Sequence, residues 1–273
     1  MIAKIFLELT DYSFFRRLIW KPIYETLAKK FKSEDWHFMN YGYVPFEKEI
    51  FLNLEERDEI NRYPLQLYHY LASKISLEGM DVLEVGSGRG GGSNYIKRYL
   101  HPRKVTGLDI ANNAVKFSRE VHRQKGLYYK QGNAERLPFE NDYFDVVINV
   151  ESCHAYGSVP RFLAEVSRVL CDGGYFLCAD MRSPEGLETL RKNLINSGMA
   201  LLEEEDITPN VINAIEKEEG IKINRIQNNI PPWLQRTFKE FAGVKNSKIH
   251  TDLSNGNLVY HRFVMKKIPH LNG

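Results

Sequence analysis

The sequence predicts a doubly wound α/β fold with a mostly parallel sheet, and three observations carry that expectation. Short apolar runs alternate with helical patterns through the middle of the chain, as strands joined by helical crossovers must. The first run, Val82-Leu83-Glu84-Val85, leads straight into Gly86-Ser87-Gly88-Arg89-Gly90-Gly91-Gly92 and a helical pattern. The second, Val105-Thr106-Gly107-Leu108, ends in Asp109. In an open parallel sheet these are the two strand ends that face a nucleotide-like ligand.

Taken in order, residues 12–31 space Phe14, Phe15, Leu18, Ile19, Ile23, Leu27 and Phe31 as an amphipathic helix with Arg and Lys between them. That pattern suits either a lid helix packed on the body or contact with a membrane surface. An aromatic stretch follows, with Trp36, Tyr41, Tyr43 and Phe46, and then a helix over about 61–76. Strands are expected at 81–85, 104–109, 127–130, 143–150 and 174–182, with helices at 91–100, 111–124, 158–170 and 184–197. A short apolar-acidic stretch, Met199 to Asp206, precedes helical material to about 243, interrupted by Pro231-Pro232. Leu258 to Met265 is the last strand. The expected organisation is an N-terminal helical lid over 1–76, a core over 77–206, a helical, substrate-covering insertion over 207–243, and final strand material over 244–273.

Composition narrows the function. The chain has 273 residues, 43% hydrophobic and 26% charged, as in an ordinary globular protein. Its 37 basic against 35 acidic residues leave a net charge of +2, too little to hold nucleic-acid phosphates, and no N-P-P-Y-like motif occurs. Small-molecule chemistry is therefore expected. Cys153, Cys171 and Cys178 share no C-x-x-C spacing, which fits a reducing cytoplasm better than a disulfide framework or zinc site. No run of about 18 apolar residues exists, so no transmembrane helix is expected. Charges at Lys4, Glu8 and Asp11 interrupt the apolar start, against a signal peptide. No His, Asp and Glu cluster has metal-ligand spacing.

The glycine turn alone is ambiguous, because Gly86, Gly88 and Gly91 also satisfy the dinucleotide fingerprint G-x-G-x-x-G. Glu84 shifts the balance. A carboxylate two residues before the first glycine would repel a pyrophosphate but suits the ammonium and sulfonium groups of S-adenosylmethionine. Asp109 would then take the ribose hydroxyls, or serve as a helix cap, or both. Asn133 and the Ala134 amide follow the third strand, placed for an adenine edge or for a plain Asn-led turn. His154 follows the fourth strand, where reacting groups meet the cofactor. It is the candidate base, an imidazole with an ordinary pKa near 6.5 being able to take a hydroxyl proton, or else a structural histidine. Asp180, after the fifth strand, could orient His154 or a substrate hydroxyl, or cap the helix near Pro184. Tyr41, Tyr43 and Tyr68 either close over the cofactor or pack in the core.

Leu83 to Gly90, Gly107 to Ile110, Gly132 to Phe139, Phe144 to Val150 and Arg168 to Gly174 together resemble the class I S-adenosylmethionine-dependent methyltransferases. A more specific resemblance, to phthiotriol/phenolphthiotriol dimycocerosates methyltransferases and related natural-product O-methyltransferases, spans nearly the whole chain. Asn61-Arg62, Leu67-Tyr68-His69, Asn149-Val150-Glu151, His154, Tyr156, Arg161 to Val166 and Ala179 to Arg182 carry it. The chain departs from the family pattern at Asn133, where the family commonly has Asp. The resemblance implies a Rossmann-like, mostly parallel seven-stranded sheet and adds Ser87, Ile110, Glu135 and Asn149 to the candidate cofactor contacts. It also implies methyl transfer to a hydroxyl of a hydrophobic natural product, polyketide or lipid, in the cytoplasm, with a homodimer compatible. N- or C-methylation, or a non-catalytic S-adenosylmethionine-binding module, are the alternatives.

Overall fold

Seven strands form one sheet in the order β3-β2-β1-β4-β5-β7-β6. They are β1 (Asp81–Val85), β2 (Lys104–Asp109), β3 (Leu127–Gln131), β4 (Phe144–Val150), β5 (Leu170–Arg182), β6 (Met199–Asp206) and β7 (Val259–Lys267). The computed structural model describes residues 37–46 and 52–269, so the amphipathic stretch at 12–31 and Trp36 lie outside the described residues. β1 to β5 run parallel, and β7 enters antiparallel between β5 and β6.

Parallel neighbours need crossovers. Helices α2 (Gly91–Tyr99), α3 (Asn112–Val121) and α4 (Val159–Val169) supply them, α5 (Pro184–Ile195) carries the chain from β5 past β7 to β6, and α1 (Arg62–Ala72) leads into β1. With both faces of the sheet covered, every residue of β1 is buried, which explains its apolar run without alternation. At the edge, β3 alternates instead: Leu127 and Tyr129 point inward and Tyr128 is exposed. Val82, Ile148, Leu177 and Tyr260 pack on one face of the sheet, and Leu83, Val147, Phe176 and Phe263 on the other.

Three elements differ from the sequence expectation. Met199–Asp206 is a strand, β6, although only Met199 in it is buried. Its acids are held from the neighbouring strand, where Arg262 lies 2.9 Å from Glu203 and 2.7 Å from Glu205, a long-range pairing that no local hydrophobic pattern announces. β5 starts at Leu170, four residues before the expected 174, because Leu170 pairs with Phe144 ahead of a register shift at Phe144/Val146. Within 244–273, expected as strand material, Lys248–Ser254 forms a short helix, too brief to show periodicity and capped by Ser247, whose Oγ accepts from His250 N.

Between β6 and β7 run α6 (Thr208–Asn229), α7 (Pro232–Ala242) and that short helix, α8 (Lys248–Ser254), with Pro231-Pro232 breaking the first two apart. α6 is stitched to the aromatic stretch near Tyr41, as Val44 N donates to Asn210 O at 3.2 Å and Asn210 Nδ2 to Val44 O at 3.0 Å. Among the described residues, no helix is long and apolar enough to cross a membrane.

Candidate active site

The carboxyl ends of β1, β2, β4 and β5 meet beside the β1/β4 boundary, where the strand order reverses and open α/β sheets bind ligands. Gly86 follows β1 at φ +81°, and a Cβ there would stand 1.9 Å from Ser152 Oγ, so only glycine lets the β4 loop approach this closely. Gly88 also has positive φ, +50°, but nothing lies within 4 Å of the position of its missing Cβ. Its bare backbone therefore borders open space, which is a cradle that a ligand can lie against.

Asp109, at the end of β2, holds this turn. Its Oδ2 accepts from Gly88 N and its Oδ1 from Ala111 N, both at 2.8 Å. The second bond is a turn ahead of α3, so Asp109 shapes the helix entry while its carboxylate stands beside the glycine turn; Ile110 follows it, partly exposed. Glu84 lies deeper, fully buried, with Tyr68 Oη donating at 2.6 Å to one oxygen and Ser93 Oγ donating to the other. Burial pushes its carboxyl up to about 7, against the lowering effect of those bonds. Tyr68 thus contacts Glu84. Ser87 is buried within the turn, its N bonded to Leu108 O at 3.0 Å.

After β3, Asn133 Oδ1 accepts from Glu135 N at 3.0 Å, so an Asn-led turn is present whatever else this segment binds. Ala134 is buried, and Glu135 Oε1 accepts from Gly157 N at 3.0 Å. Asn149 is fully buried and its amide joins two strand ends: Nδ2 donates to Val85 O at 2.8 Å, and Oδ1 accepts from Cys153 N at 3.1 Å. Tyr41 is buried with its backbone N donating to Glu151 Oε1 at 2.9 Å. Tyr43 stacks on Tyr70, 4.1 Å between ring centres.

His154 sits in one 3-10 turn, Cys153–Ala155, after β4. Its Nδ1 is 2.6 Å from Asp180 Oδ1, and its backbone N donates to Asp180 Oδ2 at 2.9 Å. Arg182 Nη1 and Cys153 Sγ also approach Asp180 Oδ2 at 2.9 Å. Burial by itself would raise the Asp180 carboxyl, but Arg182 and His154 outweigh it and hold the group far below the usual carboxylate range. The helix cap is taken by Ser183, whose Oγ accepts from Gly186 N at 3.1 Å, so Asp180 serves His154 instead. The contact of Nδ1 with this carboxylate fixes the orientation of the ring.

Residues absent from the sequence-derived set complete this region. Glu151 caps β4 with φ +46° and binds Tyr41 and Tyr260, and Arg182 anchors Asp180. Glu151 had a signal, an acid at the carboxyl end of a buried strand. Tyr260 had none, since 109 residues separate it from Glu151.

Comparison with known proteins agrees with this geometry. A family described as "Methyltransferase domain" matches residues 83–178. The phthiotriol/phenolphthiotriol dimycocerosates methyltransferase of Mycobacterium leprae is 35% identical over 249 residues, covering 91% of this chain and 92% of that protein. The fatty-acid O-methyltransferase of Mycolicibacterium smegmatis is 40% identical over 223 residues, covering 82% of this chain and 81% of that one. The crystal structure of geranyl diphosphate C-methyltransferase from Streptomyces coelicolor, in complex with Mg2+, geranyl diphosphate and S-adenosyl-L-homocysteine, superposes with a TM-score of 0.64 at 15% identity. That match spans 90% of this chain and 98% of the other, and it shows a shared fold. The glycine cradle at Gly88 and the carboxylate beside it fit the cofactor of such enzymes, S-adenosylmethionine. The chain belongs to the class I S-adenosylmethionine-dependent methyltransferases, in the group that includes the phthiotriol/phenolphthiotriol dimycocerosates methyltransferases.

Proposed function

We propose that this methyltransferase transfers its methyl group to a hydroxyl of a hydrophobic small molecule, with His154 as general base. The observation that carries the reading is the 2.6 Å contact between His154 Nδ1 and the buried Asp180. A histidine so held keeps Nε2 basic, and the carboxylate stabilises the imidazolium that forms when Nε2 takes a proton. An alcohol needs this help, because its oxygen must lose a proton as it gains a methyl group. The relative described as a fatty-acid O-methyltransferase supports an oxygen acceptor, and it and the relatives described as phthiotriol/phenolphthiotriol dimycocerosates methyltransferases support a lipid-like molecule.

Bound S-adenosylmethionine supplies the methyl group on an already activated sulfonium. The chain's own task is orientation and exclusion of water, which can contribute roughly 7–11 kcal/mol. Asp109 is assigned to the ribose hydroxyls, and Gly86, Ser87, Gly88 and Ile110 to the cofactor's passage along the turn. Asn133, Ala134 and Glu135 are assigned to the adenine, and Asn149 to the strand ends beneath it. Glu84, bonded by Tyr68, biases the methionyl end electrostatically, and Tyr41 and Tyr68 are assigned to close over the cofactor. The insertion over 207–243 covers the acceptor. His154 Nε2 would take the acceptor's hydroxyl proton as that oxygen receives the methyl group the cofactor supplies.

The test uses methyl-labelled S-adenosylmethionine with long-chain alcohols, phenols, fatty acids and amines, in wild type and His154→Ala. Label entering an alcohol or phenol, with kcat down about 10²- to 10⁴-fold in the variant and cofactor affinity unchanged, is the expected result. Label entering only an amine, at a rate indifferent to His154, overturns the hydroxyl reading.

A further inference from the structure

Glu151 is a buried carboxyl that the mechanism above leaves unused. Along β4, Val146, Ile148 and Val150 belong to one face of the sheet, while Val147 packs with the other, so strict alternation would send residue 151 to the side of Val147. The left-handed backbone at Glu151, φ +46°, breaks that alternation. It turns the side chain toward Tyr41 and Tyr260, which pack with Val150. Both donate to the same oxygen, Oε1, at 2.9 Å. Among the described residues, no hydrogen bond to Oε2 is present. The carboxyl is deeply enclosed, while the residue as a whole keeps part of its surface accessible.

The charged and titratable groups facing Glu151 come from every neighbouring element. Tyr41 and Tyr260 bond it, Asp180 of β5 repels it, Lys222 of α6 attracts it, and Tyr68 of α1 senses its charge. Burial dominates and pushes the carboxyl up to about 8, with Asp180 adding to the rise against Lys222 and the two hydrogen bonds. A largely protonated carboxyl at neutral pH carries an O–H donor.

Resting on the hydroxyl reading above, we propose that Glu151 is an acceptor-binding residue: its Oε2 hydrogen-bonds the acceptor's reacting oxygen and steers that oxygen's own proton toward His154. Donation by Glu151 to an oxygen lone pair leaves the acceptor O–H to point at Nε2. Ionised, Glu151 accepts that O–H instead and competes with His154 for it. Activity therefore falls as pH rises through the Glu151 titration, at or below about 8 once the cofactor's positive charge favours the ionised form.

Glu151→Gln and Glu151→Ala test this on an alcohol or phenol that the wild type methylates, with melting temperature and S-adenosylmethionine binding measured in parallel. Gln keeps an acceptor for Tyr41 N and Tyr260 Oη and keeps a donor for the substrate, without titrating. The expected result for Glu151→Ala is an acceptor KM raised about 10- to 100-fold with cofactor affinity unchanged. Glu151→Gln is expected to retain most of the activity and to lose the alkaline decline in kcat/KM. An unchanged acceptor KM in Glu151→Ala, or the wild-type alkaline decline persisting in Glu151→Gln, overturns the role given to Glu151 and leaves the hydroxyl reading standing. A wild type that methylates no alcohol or phenol overturns both.

Discussion

Tyr68 Oη lies 2.6 Å from Glu84 Oε1, and both side chains are buried. Because Ser93 donates to the second oxygen, one carboxyl joins α1, α2 and the end of β1 immediately before the glycine turn. The turn is therefore braced from below by a hydrogen-bonded acid in a site that burial makes unfavourable for charge.

The sign of the pH effect follows from that burial. Folded Glu84 titrates near 7 against an ordinary value of 4.5, so the folded chain holds this proton more tightly than the unfolded one. Its contribution is best below 4.5 and is lost as pH rises toward 7. Glu84→Gln removes that loss, so its melting temperature gains on the wild type between pH 5 and pH 8, by up to about 3 kcal/mol in stability. Tyr68→Phe, which strips a donor from a buried oxygen, costs about 1–3 kcal/mol in urea denaturation. A difference between Glu84→Gln and wild type that is the same at both pH values contradicts this account.

Two glycines of the turn fail differently when substituted. At Gly86 the new methyl meets Ser152 Oγ at 1.9 Å, so Gly86→Ala costs about 2 kcal/mol or more of stability. At Gly88 the space is open, and Gly88→Ala costs only about 1 kcal/mol of backbone strain. Its methyl nevertheless enters the cradle, so S-adenosylmethionine affinity drops by about tenfold or more. Calorimetry of binding beside thermal melts separates the two; equal melting temperatures with equal affinities would contradict the geometry.

Asp109 accepts from two backbone amides while standing beside the cradle. Asp109→Ala therefore weakens S-adenosylmethionine binding by about 10- to 100-fold. Asp109→Asn gives little rescue, since an amide offers one oxygen to two N–H donors and leaves one of them facing another donor. Titration calorimetry of both variants decides it, and near-wild-type affinity in Asp109→Asn would show that the charge and the second acceptor are dispensable.

Much of this site was readable locally. Gly86, Gly88 and Asp109 stand where the strand-turn-helix pattern put them, because a buried strand, a glycine turn and a helix leave few other ways to fold. β6 was not readable as a strand, since its acids are satisfied by Arg262, more than fifty positions away. Asn133 and Asn149 show the limit of residue type as a guide. Each was singled out for a ligand, and each has a hydrogen-bonding role in holding the chain itself.

The sequence by itself determined the parallel α/β core, the glycine turn and the family, because each is encoded in contiguous stretches whose periodicity and glycines act over a few residues. Only the tertiary structure decided that Asp180 serves His154 and does not cap the next helix, and that Glu151 turns to meet Tyr41 and Tyr260. Those partners are 26, 110 and 109 residues apart, and Asp180 and Tyr260 reach the end of β4 because β5 lies beside β4 and β7 returns antiparallel against β5. Strand order, a property of the whole sheet, sets which distant side chains share an edge, and no local pattern contains it.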